Sequence, residues 1–172
     1  DETLMLDSDY IVSNSLFKHC FTQDHDFLIY KDAHDLSGFR NDPQFVHISD
    51  TSVDFYWATC IFFRKTETNK IFFELTKHIQ ENWYHYNSIF QINRSTFRID
   101  WVFSIAVHIM NGYQRGDFSH PLPSKLYFTS DKDICWEIKG DQFLFLIQKE
   151  NFLGEYTPLK IKGSSVHVIN KF

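Results

Sequence analysis

The sequence predicts an α/β fold built on a mixed sheet, with short irregular β elements in the C-terminal part. Three observations carry that expectation. Residues 55–63 (Phe-Tyr-Trp-Ala-Thr-Cys-Ile-Phe-Phe) form an apolar run without helical spacing, as in a strand buried on both faces. An amphipathic helical pattern follows at once, and a second begins near Arg98. After residue 125 the pattern changes to short β-prone runs separated by turn residues. The 172 residues suit a single domain with a sizeable core, spanning 1–172.

Each element has its own local reason. Residues 3–6 are apolar and end at Asp7-Ser8-Asp9, so a first strand runs into an acidic turn. Tyr10-Ile11-Val12 follows, and Asn14 and Ser15 are capping types for a short helix through Phe17 and Cys20. Residues 27–30 (Phe-Leu-Ile-Tyr) are a compact strand. Residues 31–52 are polar and punctuated by Gly38 and Pro43, which predicts a long loop with short pieces of structure.

Thr66 or Thr68 opens a helix in which Phe72, Leu75, Ile79, Trp83 and Tyr86 share one stripe. Lys70, Glu74, Lys77 and Glu81 fall off that stripe. The helix from 98 to 111 has Val102, Ile105, Ala106 and Ile109 as its buried side and Gly112 as its stop. Strands are expected at 125–129, 134–138, 143–148 and 166–169.

Composition bounds the function. With 17 basic and 22 acidic side chains the formal net charge is −5, which argues against a phosphate-backbone binder, since such a protein normally shows a basic face. No apolar stretch approaches the ~20 residues of a membrane span, and no secretory leader pattern opens the sequence. Cys20, Cys60 and Cys135 form no C-x-x-C pair and are odd in number. They predict reduced thiols in a cytoplasmic protein, not a disulfide framework or a zinc site. The nineteen Phe, eight Tyr and four Trp point first to core packing.

Asp7-Ser8-Asp9 is the strongest chemical signal. A turn at the C-terminal end of a strand is where open α/β sheets present ligand groups. Two carboxylates one residue apart reach a single hard cation, Mg²⁺ or Mn²⁺, which keeps positions open for phosphate oxygens. Two surface acids that merely follow a strand give the same pattern.

Around that motif the chain resembles the GT-A-fold, metal-dependent glycosyltransferases that use nucleotide-sugar donors. The resemblance is carried by Leu-Met-Leu-Asp-Ser-Asp-Tyr-Ile-Val-Ser-Asn-Ser-Leu-Phe at 4–17, and by the buried strand and helix beginning at Asp54. Arg98-Ile99-Asp100-Trp101-Val102-Phe103-Ser104 is similar to the family's acidic motif at a helix start. Ser165-Val166-His167-Val168-Ile169-Asn170-Lys171 is similar to its C-terminal histidine element. The likeness is greatest to the glycogenin-like branch and to related glycosyltransferases of large DNA phages and viruses, which would put the protein in a host cytoplasm.

The resemblance implies a nucleotide-diphospho-sugar transferase fold and a Mn²⁺ or Mg²⁺ ion held by Asp7, Asp9 and His167. It implies a nucleotide-sugar donor and a carbohydrate or protein acceptor. The family places its nucleotide-binding strands before the D-x-D, whereas here the motif begins at residue 7. The chain is therefore expected to be the metal- and acceptor-side portion of a longer glycosyltransferase domain. Asp100 is the first candidate to act on the acceptor or on the oxocarbenium-like sugar, because a helix N-terminus favours its charged form. Asp54 is the second candidate. Trp57 and Trp101, with Tyr56, are candidates to stack on a sugar in the donor site.

Each of these residues also has a structural reading: a first-turn charge for Asp100, a loop acid for Asp54, and a core or solvent-facing histidine in a strand for His167. Two other functions fit parts of the sequence. One is a non-catalytic binding or structural module derived from a transferase. The other is a Mg²⁺-dependent nuclease using Glu137 and Lys139, with Asp117 upstream, although a plain surface pair explains those two residues as well.

Overall fold

Strands β1 (Glu2–Leu6) and β2 (Tyr10–Ile11) flank the acidic turn, and α1 (Asn14–Thr22) follows them. Next come β3 (Phe27–Tyr30), β4 (Ala33–Asp35) and β5 (Trp57–Arg64). Three helices succeed one another, α2 (Glu67–Glu81), α3 (Trp83–Ile89) and α4 (Ile99–Met110). The remaining strands are β6 (His120–Pro121), β7 (Leu126–Phe128), β8 (Ile134–Lys139), β9 (Gln142–Gln148), β10 (Tyr156–Lys162) and β11 (Val166–His167). The structure is a computed structural model and describes residues 1–12, 14–31, 33–36, 38, 46–48, 53–92, 97–130, 132–148 and 154–169. Pro43, Asn170 and Lys171 lie outside these residues.

The result is a mixed α/β fold with three sheets. The first has the order β1-β5-β3-β6, with β5 antiparallel to both neighbours and β3 parallel to β6. The second has the order β2-β11-β7-β4 and is also mixed, β11 running antiparallel to β2 and parallel to β7. The third is an antiparallel β10-β9-β8 meander.

Strand β5 is the spine of the core. Trp57, Cys60, Ile61 and Phe62 are fully buried, and α4 packs against the strand with α2 beside it. Thr66 caps α2, its hydroxyl accepting from the Asn69 N–H at 3.1 Å. The Asn69 side chain then donates to the Asp26 and Arg64 carbonyls at 2.8 and 2.9 Å, tying the helix to the ends of β3 and β5.

The elements depart from expectation in three ways. The stripe from Phe72 to Tyr86 does not lie on one helix. Asn82 leaves the helical region, and both its backbone N–H and its side-chain amide donate to the His78 carbonyl, so the chain turns off and restarts as α3. Helix α4 is buried continuously from Asp100 to Val107 instead of along a stripe, because a helix apolar on all sides sits inside the core. Strand β10 is not among the expected strands, and Pro158 lies inside it. Pro158 is tolerated because, among the described residues, β10 is the outer strand of its sheet and pairs with β9 alone.

Among the described residues, no helix is long and apolar enough to cross a membrane. Cys20 and Cys60 are buried free thiols, while Cys135 is partly exposed.

Candidate metal centre

Backbone hydrogen bonds from three segments build the site. Just past β1, the Asp7 N–H donates to the Thr59 carbonyl at 2.9 Å, extending the β1–β5 pairing to the acidic turn. The turn closes when the Tyr10 N–H donates to the Asp7 carbonyl at 3.3 Å. The Asp9 carbonyl accepts from Val168 N–H at 2.8 Å, which draws the end of β11 onto the turn. His167, 160 residues downstream, is thereby brought beside Asp7 and Asp9.

The side chains converge. His167 Nε2 lies 3.2 Å from Asp9 Oδ1 and 3.9 Å from Asp7 Oδ2. One ligand atom from each of the three lies within 4.8 Å of the others, the single such group among the described residues. His167 is the most buried, with 12 % of its side chain exposed, against 35 % for Asp9 and 52 % for Asp7. Its Nδ1 is 2.9 Å from the Thr59 hydroxyl, and the Trp57 indole meets its ring edge-on. Burial raises the Asp7 carboxyl above its ordinary range. His167 pulls it back down, Asp9 and Asp100 push it further up, and the Thr59 hydroxyl favours the charged form.

Asp100 is buried beneath this cluster. One carboxylate oxygen accepts from Ala58 N–H at 2.8 Å, and the other takes a bidentate pair from Arg98 at 2.7 and 3.0 Å. Ser104 adds a second tie, donating to the Asp100 carbonyl at 2.7 Å and accepting from Tyr56 N–H at 2.8 Å. The first turn of α4 is thus fixed against the entry to β5. Asp54, by contrast, lines a cavity of about 290 Å³ with Lys31, Tyr56, His108, Tyr113 and Arg115. Lys31 Nζ lies 2.8 Å from its carboxylate. Burial lowers the His108 pKa, and the Asp54 charge partly offsets that.

Trp57 and Trp101 do not present a face to a sugar. Trp57 is fully buried, stacked on Phe128, with the Arg98 guanidinium over its ring. Trp101 is 4 % exposed and stacks in parallel on Trp83 at 5.7 Å. Of the three aromatics proposed for stacking, Tyr56 alone borders the cavity. Glu137 and Lys139 pair with each other at 2.6 Å on the exposed face of β8. Asp117 instead acts on His120, at the β6 end of the first sheet.

No family model, curated protein or solved structure matches the chain. The site is therefore read from its own residues. Thr59 and Arg98 are the site residues that sequence patterns did not single out. Thr59 carried one usable signal: it is the one aliphatic hydroxyl inside the 55–63 run, where a doubly buried strand needs a reason for a polar group.

Proposed function

We propose that the protein is a glycosyltransferase that moves a sugar from a nucleoside-diphosphate donor to a carbohydrate or protein acceptor, with a divalent cation held by Asp7, Asp9 and His167. The observation that carries the reading is the convergence of the two D-x-D carboxylates with a histidine from the far end of the chain. Two oxygens and one imidazole nitrogen suit Mn²⁺ or Mg²⁺. Asp7, Asp9 and His167 would hold such an ion, which would also take phosphate oxygens of the donor. A bound ion there supplies Lewis-acid neutralisation of the charge that develops on the departing diphosphate.

The remaining roles fall to the chain's own groups. Asp54 opens onto the cavity, so we assign it, ahead of Asp100, as the carboxylate that accepts the proton of the acceptor hydroxyl. Lys31 orients it. Asp100 has both oxygens engaged, and we assign it to positioning: with Arg98 it holds the Ala58 backbone, and through it the Trp57–Thr59 segment that backs His167. The half-exposed Asp7 and Asp9 face the donor side, while Trp57 keeps water from the rear of the imidazole.

The test is release of nucleoside diphosphate from a panel of nucleotide sugars in the presence of Mn²⁺. The expected result is metal-dependent turnover that Asp9→Ala abolishes and that Asp54→Asn lowers while metal binding is kept. Binding of Mn²⁺ without turnover on any donor would instead make the chain a binding module derived from such an enzyme.

A further inference from the structure

The two edges of the β10-β9-β8 sheet are built differently. The β10 edge carries Pro158, Lys160 and Lys162, residue types that keep an edge from accepting another strand. The β8 edge has no proline, and its lysine, Lys139, is paired with Glu137. It sets out Ile134, Trp136 and Ile138 at 42, 66 and 54 % exposure, and among the described residues β8 pairs with β9 alone. An open apolar edge of this kind is a template for strand addition.

The residues of β8 also define what fits there. Lys139 and Gln142 close the Gly140-Asp141 turn as a hydrogen-bonded pair, and such pairs alternate along an antiparallel ladder. The Ile138 N–H and C=O therefore point away from β9, towards the free edge. An antiparallel second β8 centred on Ile138 bonds to those groups. It sets Glu137 opposite Lys139 of the second copy, and Lys139 opposite Glu137 of the second copy. Within one chain the two charges are 2.6 Å apart, so the pairing forms a square of four alternating charges. The same register puts Trp136, at the bulge in β8, opposite Gly140 of the second copy, where the space a side chain would fill is open.

We propose that β8 is a self-association edge: two copies of the chain join through antiparallel β8 strands, uniting their three-stranded sheets into one. A single twofold axis relates them, and growth stops there because the β10 edge is blocked. Ile134, Trp136 and Ile138 lie outside the buried core, so the monomer folds without the contact. The strand pair is short, and the dimer is expected to be weak, with a dissociation constant on the order of 10–100 μM. The proposal is independent of the metal centre.

Sedimentation equilibrium of the whole chain, at concentrations below and above that range, is expected to show a monomer–dimer equilibrium. Glu137→Lys sets like charges opposite each other at both ends of the pairing and is expected to weaken it roughly 10-fold or more, as is Lys139→Glu. Combining the two substitutions restores the alternation and should return the wild-type constant. Ile138→Pro removes the edge donor while sparing the β8–β9 ladder, and should abolish the dimer; the melting temperature of each variant shows that it is folded.

A wild-type monomer at every concentration, or a dimer that neither single reversal weakens, overturns the proposal. Open-ended assemblies larger than a dimer overturn the twofold closure. If Ile138→Pro does not fold, the charge series decides alone.

Discussion

The β5-centred sheet and the β8–β9–β10 meander are made of similarly apolar strands, yet they do different work. The first is assembled from distant segments: Leu6 pairs with Cys60, and Phe27 with Phe63. Its central strand is buried on both faces. The meander pairs neighbours in sequence and buries one face, through Phe143, Phe145 and Ile147. Trp136, Ile138 and Tyr156 stay largely exposed. The candidate chemistry lies where the first sheet meets β11 of the second, which brings residues 7, 9, 59 and 167 together. Long-range pairing gathers groups that no local motif holds together.

The largest test of that contrast is truncation of the spine. Phe62→Ala removes a fully buried ring from β5 and is expected to cost about 3–5 kcal/mol, read by chemical denaturation. A loss below 1 kcal/mol would mean that the sheet does not carry the fold.

A smaller effect concerns the other end of the same sheet. His120 on β6 stacks on His25 at 3.5 Å, and burial, then the His25 charge, lowers its pKa. A histidine with a lowered folded pKa binds more protons unfolded than folded, so stability falls as pH drops through and below the ordinary histidine range. His120→Gln should flatten that part of the stability–pH profile and leave neutral stability nearly unchanged. An unaltered slope would remove His120 from the account.

The smallest effect belongs to the meander. Trp136 is 66 % exposed, and Trp136→Ser should change stability by no more than about 0.5 kcal/mol. A larger loss would show that the exposed face is structurally engaged.

What could be read from the sequence follows the same division. Local signals were legible: the D-x-D after a strand, the Thr66 cap, the Gly112 stop and the apolar run of β5 all rest on a few adjacent residues. The break at Asn82 was not, because a competing hydrogen bond to His78 leaves no mark on hydrophobic periodicity. Strand β10 was hidden by Pro158, which only an edge position excuses. At the site, Asp7, Asp9 and His167 were legible by residue type. The burial of Trp57 and Trp101 was not, since an aromatic side chain reads the same in a core and at a sugar. The pairing of Asp100 with Arg98 and Ala58 depends on how α4 docks, which sequence spacing does not fix.

Asp7, Asp9 and His167, drawn together from the two ends of the chain, are proposed to hold one divalent cation. Calorimetric titration of the whole chain with Mn²⁺, alongside Asp9→Ala and His167→Ala variants shown to be folded, tests it most directly. A single wild-type site is expected, abolished by Asp9→Ala and severely weakened by His167→Ala. Absence of wild-type binding, or binding that both variants retain, would contradict it.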